Sequence, residues 1–131
     1  AGDAGNAQAS KICNNMLLAI HMIGTCEAFQ MAQKLGLDPQ TFFDISSVSS
    51  GQNWSMTSYC PVPGVGPTTP ADNNYQGGFA SALMLKDLKL AMEAAQASGA
   101  TTPLGRHAQE LYEAFAKDNG GLDFSGIIKT L

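Results

Sequence analysis

Charge is scarce in this chain. Charged residues occupy 14% of its 131 positions, against about 25% in an average soluble domain. A surface so poor in solvating groups implies that something else covers much of it, a second domain or a sister subunit. No run of lysine or arginine occurs, and the net charge is −4. That argues against a nucleic-acid partner, which would need a basic patch. Long apolar runs are missing too. The longest, Met16 to Cys26, is interrupted by His21 and falls short of the roughly 20 residues that span a bilayer, so no membrane partner is expected. Ala1 is followed directly by Gly2 and Asp3, without the charged and then apolar pattern of a secretory leader. With no methionine at position 1, a piece of a longer protein is expected.

Cysteine is equally sparse. Cys13, Cys26 and Cys60 are an odd number, without a Cys-x-x-Cys pair or zinc-ligand spacing. They read as free thiols in a reducing compartment, and no metal is expected. Cys13 and Cys26 lie in helical pattern, where a thiol behaves as a small hydrophobe. Period-two alternation is absent, which excludes strands, and no repeat is visible. What remains is an all-α class over residues 1–131, a helical bundle with 44% hydrophobic residues to build its core.

The first helix is expected from about Ala7 to Leu35, free of proline. Its middle is apolar all round, which predicts burial on most faces. Gly36 ends it, and Asp38-Pro39 restarts a second helix to about Val48, Asp38 capping and Pro39 at the first helical position. Residues 49–81 change character. Pro61, Pro63, Pro67 and Pro70, with Gly64, Gly66, Gly77 and Gly78, predict a long irregular loop. So long a loop inside a compact domain is usually functional, and Trp54, Tyr59, Tyr75 and Phe79 argue against disorder. A third helix is expected over about 80–97, ended by Gly99. A fourth begins at Pro103 with Thr102 as its cap and stops at Asn119-Gly120-Gly121. Asp123 or Ser125 starts a last turn.

Two polar groupings stand out. Lys11 is followed by Asn14 and Asn15, at i+3 and i+4, so the three share one side of a helix at the edge of the apolar run. Burial there would disfavour an ammonium and make the lysine an acid/base group, while amides bind substrate oxygens without adding charge. The plain alternative is a solvated helix end. The second grouping is Gly77-Gly78-Phe79 followed by Lys86-Asp87. Glycines permit close approach of backbone to ligand, and the helix start behind them has N–H groups for an anion. From spacing alone, Lys86 and Asp87 read best as an exposed ion pair. His21 and His107 lack partners at catalytic spacing. The glycines around Gly2 and Gly5 do not make a dinucleotide fingerprint, because no strand precedes them and Ala7 stands where glycine is needed.

Taken in order, these segments resemble a known family. Gly2 to Ala19, including Lys11-Ile12-Cys13-Asn14-Asn15, is similar to the start of the C-terminal domain in the 3-hydroxyisobutyrate dehydrogenase branch of the β-hydroxyacid dehydrogenases. Ser49-Ser50-Gly51 with Trp54-Ser55, Tyr59-Cys60-Pro61-Val62-Pro63-Gly64-Val65, Asn74-Tyr75-Gln76-Gly77-Gly78-Phe79 and Leu83-Met84-Leu85-Lys86-Asp87-Leu88 continue the likeness. It covers essentially the whole chain and departs at Ala7, where the family usually has glycine.

The resemblance implies an all-helical catalytic, substrate-binding and dimerisation domain built around one long buried helix, working with an N-terminal Rossmann domain that this chain does not contain. It implies oxidation of (S)-3-hydroxyisobutyrate to methylmalonate semialdehyde with NAD, a step of valine breakdown. The NAD would be held mainly by the Rossmann domain, and 131 residues alone would be inactive. By resemblance Lys11 is the catalytic acid/base, and Asn14, Asn15, Gly77, Gly78, Phe79 and Asp87 serve the substrate. Lys86 would contact the nicotinamide cofactor. A homo-oligomer is implied, cytoplasmic in a bacterium or in the mitochondrial matrix of a eukaryote. The rival readings are a sister enzyme, a tartronate or succinic semialdehyde reductase, and a non-enzymatic helical interaction domain.

Overall fold

The computed structural model describes residues 3–131; Ala1 and Gly2, including the Gly2 of the glycine-rich start, lie outside the described residues. The order is α1 (Asp3–Lys34), α2 (Pro39–Ser46), α3 (Trp54–Thr57), a 3₁₀ turn (Pro70–Asn73), α4 (Ser81–Ser98), α5 (Pro103–Asn119) and a C-terminal 3₁₀ helix (Phe124–Thr130). The all-α class holds. Among the described residues the sole β-type pairing is one isolated bridge between Ala80 and Asp123.

Helix α1 starts four residues earlier than the pattern predicts and runs 32 residues, about 48 Å at 1.5 Å per residue. Ala19, Met22, Ile23, Cys26, Phe29 and Ala32 form its buried stripe, spaced three and four apart as a 3.6-residue period requires. The expectation of burial on most faces is met over Met16–Cys26, where all but Leu17, His21 and Gly24 are buried or half-buried. Leu17 is 48% exposed, and His21 and Gly24 face outward. Helices α4 and α5, the C-terminal 3₁₀ helix and the short α2 and α3 pack on α1, and they leave a strip of it open. Cys13 is exposed as well, so only Cys26 of the two helical cysteines acts as a core hydrophobe. All three thiols are free.

Punctuation follows the sequence closely. Gly36 takes φ +84, and the Leu37 N–H reaches the Ala32 carbonyl at 2.9 Å, closing α1 in a Schellman pattern. Asp38 accepts from the Thr41 amide at 3.1 Å and caps α2, which ends at Ser46 rather than Val48. Thr102 stands at the cap position of α5 but makes no capping bond; its hydroxyl donates to Met92 Sδ at 3.6 Å.

The segment between α2 and α4 is an ordered scaffold. Cys60, Pro61, Val65, Ala71 and Tyr75 are buried in the core. A capping box of Thr69 and Asp72 starts the 3₁₀ turn. The Asp72 carboxylate accepts from the Gly64 and Thr69 amides at 2.6 and 2.8 Å, and these hold it below the usual carboxylate range. The Tyr75 hydroxyl donates to the Pro61 carbonyl at 2.7 Å. Beneath lie Met22, Met84, Leu88, Tyr112, Phe124 and Ile127, all fully buried, each contributing about 1.5–3 kcal/mol by leaving water.

Candidate active site

Asn15 is half-buried on α1, and its Nδ2 donates to Asp87 Oδ2 on α4 at 2.6 Å. Asn14 donates to Asn15 Oδ1 at 3.3 Å. The two sequence groupings, 72 residues apart, therefore meet in one place. This corrects the reading of Lys86 and Asp87 as an exposed ion pair. Asp87 turns to α1 and Lys86 stays exposed, and the two form no salt bridge with each other among the described residues. An amide nitrogen carries two hydrogens, so Asn15 keeps one for a ligand while held by Asp87.

Lys11 sits one turn before Asn15 and is exposed. Beside Asn14 opens a cleft of about 470 Å³ lined by Asn14, Leu17, Leu18, His21 and Trp54. On α4, Lys86 and Lys89 line a second open groove with Leu85 and Leu90. Glu93 lines the same groove, so the two lysines, neither in an ion pair among the described residues, share it with one carboxylate. Among those same residues no group of three His, Cys, Asp or Glu side chains could hold a metal.

The glycine loop departs from the reading of it as bare backbone backed by an open helix start. Gly77 and Gly78 both take left-handed backbone, φ +78 and +66. At Gly77 an added Cβ would meet open space, but at Gly78 it would stand 2.2 Å from Asp123 Oδ1 and 2.5 Å from the Tyr59 hydroxyl. The close approach at Gly78 is to the protein itself. The first amides of α4 are occupied as well, Ser81 donating to Leu122 O at 2.7 Å and Ala82 to Gly120 O at 3.0 Å. That helix start is not an anion site. The Phe79 ring is half-buried and lies edge-on to Phe124 at 5.8 Å.

Asp123 and Tyr59 are the residues that sequence reasoning missed. Asp123 looks like a simple cap, and it does accept from the Ser125 amide at 3.0 Å. It is also fully buried and accepts from Tyr59 and from the Phe79 amide, both at 2.7 Å. Burial first, then this bond, pushes the Tyr59 hydroxyl above its ordinary range. Tyr59 in turn stacks on Trp54 at 5.1 Å. An aspartate followed two residues later by serine is the signal for the cap; nothing local announces the partners 44 and 64 residues away.

A family profile described as NAD-binding of NADP-dependent 3-hydroxyisobutyrate dehydrogenase matches residues 5–131. The chain belongs to this family. Its sequence is 51% identical over 132 residues to the 3-hydroxyisobutyrate dehydrogenase of Pseudomonas aeruginosa, covering 98% of the chain and 44% of that protein. It is 48% identical over 131 residues to the human mitochondrial 3-hydroxyisobutyrate dehydrogenase, covering 99% of the chain and 39% of that protein. A solved structure of the Mycobacterium tuberculosis 3-hydroxyisobutyrate dehydrogenase with L-serine superposes with a TM-score of 0.91 at 52% identity, over 93% of this chain and 42% of that one. The chain thus spans less than half the length of the relatives it matches. Membership agrees with the resemblance drawn from the motifs, and the superposition with the expected helical architecture. Among the described residues no helix is long and apolar enough to cross a membrane.

Proposed function

We propose that this chain is the helical half of an oxidoreductase that converts (S)-3-hydroxyisobutyrate and an oxidised nicotinamide nucleotide to methylmalonate semialdehyde and the reduced nucleotide. The observation that carries the reading is the 2.6 Å bond from Asn15 to Asp87, which joins the Lys11 end of α1 to the Lys86 segment of α4. The family's relatives bear the dehydrogenase name, and its profile is described by nucleotide binding.

In this mechanism Lys11, as the neutral amine, takes the hydroxyl proton as the carbinol carbon loses hydride; in reverse its ammonium returns the proton to the carbonyl oxygen. Such help is typically worth about 10²–10⁴-fold. Asn15, oriented by Asp87, donates to the reacting oxygen, and Asn14, Gly77, Gly78 and Phe79 line the substrate side. Lys86 contacts the nucleotide, which when bound supplies the hydride acceptor. A second domain closing over α1 would exclude water from exposed Lys11 and supply most nucleotide contacts. NAD is the proposed nucleotide, and a homo-oligomer formed through α1 the proposed assembly.

The test is turnover by the full-length protein on a panel of short β-hydroxyacids with NAD and NADP, beside this chain alone. Preferred turnover of 3-hydroxyisobutyrate is expected, with none by the 131 residues. Preference for tartronate or succinic semialdehyde would replace the substrate, and no turnover of any hydroxyacid would leave a helical interaction domain.

A further inference from the structure

We infer that Asp123 is a positioning residue that, through Tyr59, locks the Gly77–Gly78 backbone to the Trp54 wall of the cleft and so sets affinity for the substrate. The inference rests on the proposed hydroxyacid reaction. It starts from a fully buried carboxylate whose backbone meets the start of α4, the Ser81 hydroxyl donating to the Asp123 carbonyl at 3.3 Å. Desolvating such a group is costly unless donors surround it, and here four do. Oδ1 accepts from the Tyr59 hydroxyl and the Phe79 amide; Oδ2 accepts from the Ser125 amide and hydroxyl.

The donors on Oδ1 belong to the two separate pieces of the candidate site. Tyr59 stacks on Trp54, with ring planes 23° apart, and Trp54 shares the cleft with Asn14. Phe79 directly follows the glycine pair. The backbone around Asp123 adds a second grip: its own N–H donates to the Tyr75 carbonyl at 2.8 Å, and the Phe124 N–H to the Phe79 carbonyl at 2.7 Å. The loop needs such a clamp. Asn74 takes φ 55 as the ordinary cap of the 3₁₀ turn, but Tyr75 at φ 60 holds a conformation that a bulky residue keeps only when its surroundings compel it. Gly78 is pressed so close to Oδ1 that no side chain fits. Among the described residues the Gly77 and Gly78 amides make no hydrogen bond within the chain, so the clamp presents two donors at a defined place. Amides held this way suit the carboxylate of a short hydroxyacid. Asp123 touches no reacting atom, so its influence belongs in substrate binding, not in proton transfer.

The experiment compares Tyr59→Phe and Asp123→Asn in the full-length protein. Tyr59→Phe removes one hydroxyl and keeps the stack on Trp54. Asp123→Asn keeps the shape but replaces one acceptor oxygen by a donor. We expect the hydroxyacid KM to rise about tenfold in Tyr59→Phe and further in Asp123→Asn, a tenfold change being about 1.4 kcal/mol of binding. The kcat and the nucleotide KM should stay within about threefold. Amide hydrogen exchange on the same proteins should show Phe79 losing protection while the central turns of α1 and α5 keep theirs. Equal loss in kcat, an unchanged KM, or a Phe79 amide still protected in Asp123→Asn would each overturn the inference. A wild type that turns over no hydroxyacid would sink the parent reading and with it the substrate role, while exchange at Phe79 would still decide whether Asp123 clamps the loop.

Discussion

Alanine at Gly78 should cost this chain far more stability than alanine at its neighbour Gly77. Both glycines hold left-handed φ, which charges any L-residue with a Cβ about 1–2 kcal/mol. For Gly77 that is the whole effect, since nothing lies within 4 Å of the new carbon. At Gly78 the carbon would lie 2.2 Å from Asp123 Oδ1, 2.5 Å from the Tyr59 hydroxyl and 2.8 Å from Pro70 Cγ. The carboxylate cannot swing aside without releasing its donors. Losing one hydrogen bond to a charged group costs about 1.5–3 kcal/mol, so Gly78→Ala totals about 2.5–5 kcal/mol. Against a domain stability of about 5–15 kcal/mol, that is a large share. Equilibrium urea unfolding of the two variants, followed by circular dichroism, reads the difference directly. Matching midpoints and slopes for the two would show that the packing of Gly78 onto Asp123 is not as tight as described.

Three further outcomes are expected. In the full-length protein, Lys11→Ala should lower kcat by roughly 10²-fold or more with nucleotide affinity unchanged, and Lys11→Arg should not restore it, because arginine keeps its proton; near-normal kcat in either variant would remove Lys11 from the chemistry. The isolated chain should sediment as at least a dimer at micromolar concentration, because Leu17, Met31 and Leu35 of the α1 region are 48%, 65% and 74% exposed and apolar patches of this kind mark interfaces; a single monomeric species would refute it. Burial raises all three phenols, Tyr59, Tyr75 and Tyr112, Tyr75 being pushed up to about 12. The unfolded chain gives up these protons near pH 10, so stability is full below about pH 10 and is lost as pH climbs toward the folded values. Phenolate absorbance should therefore rise together with loss of helical dichroism, and a phenolate signal near pH 10 with helices intact would contradict the burial.

The helices were legible because their signals are local. A glycine at φ +84 after α1, Asp38-Pro39 before α2, and apolar spacing of three and four residues act within a turn or two of the chain. The Lys11–Asn15 face was legible for the same reason, since i and i+4 are neighbours on any helix. Tertiary structure decided the rest. The Lys86–Asp87 pair looked self-contained until packing of α4 on α1 brought Asn15 within 2.6 Å of Asp87. Gly78 carried the mark of a ligand loop, yet its neighbours are Asp123 and Tyr59, 45 and 19 positions away in the chain. Asp123 showed only its cap, because a two-residue spacing can encode a bond to Ser125 but not one to Tyr59. The apolar middle of α1 states that burial is needed without stating by what; five elements pack on it, and the strip through Leu17, His21 and Gly24 stays open. Periodicity reports how far a side chain is from its neighbours along one helix. Which distant group fills the space opposite is set by how the helices cross, and no short window of sequence contains that.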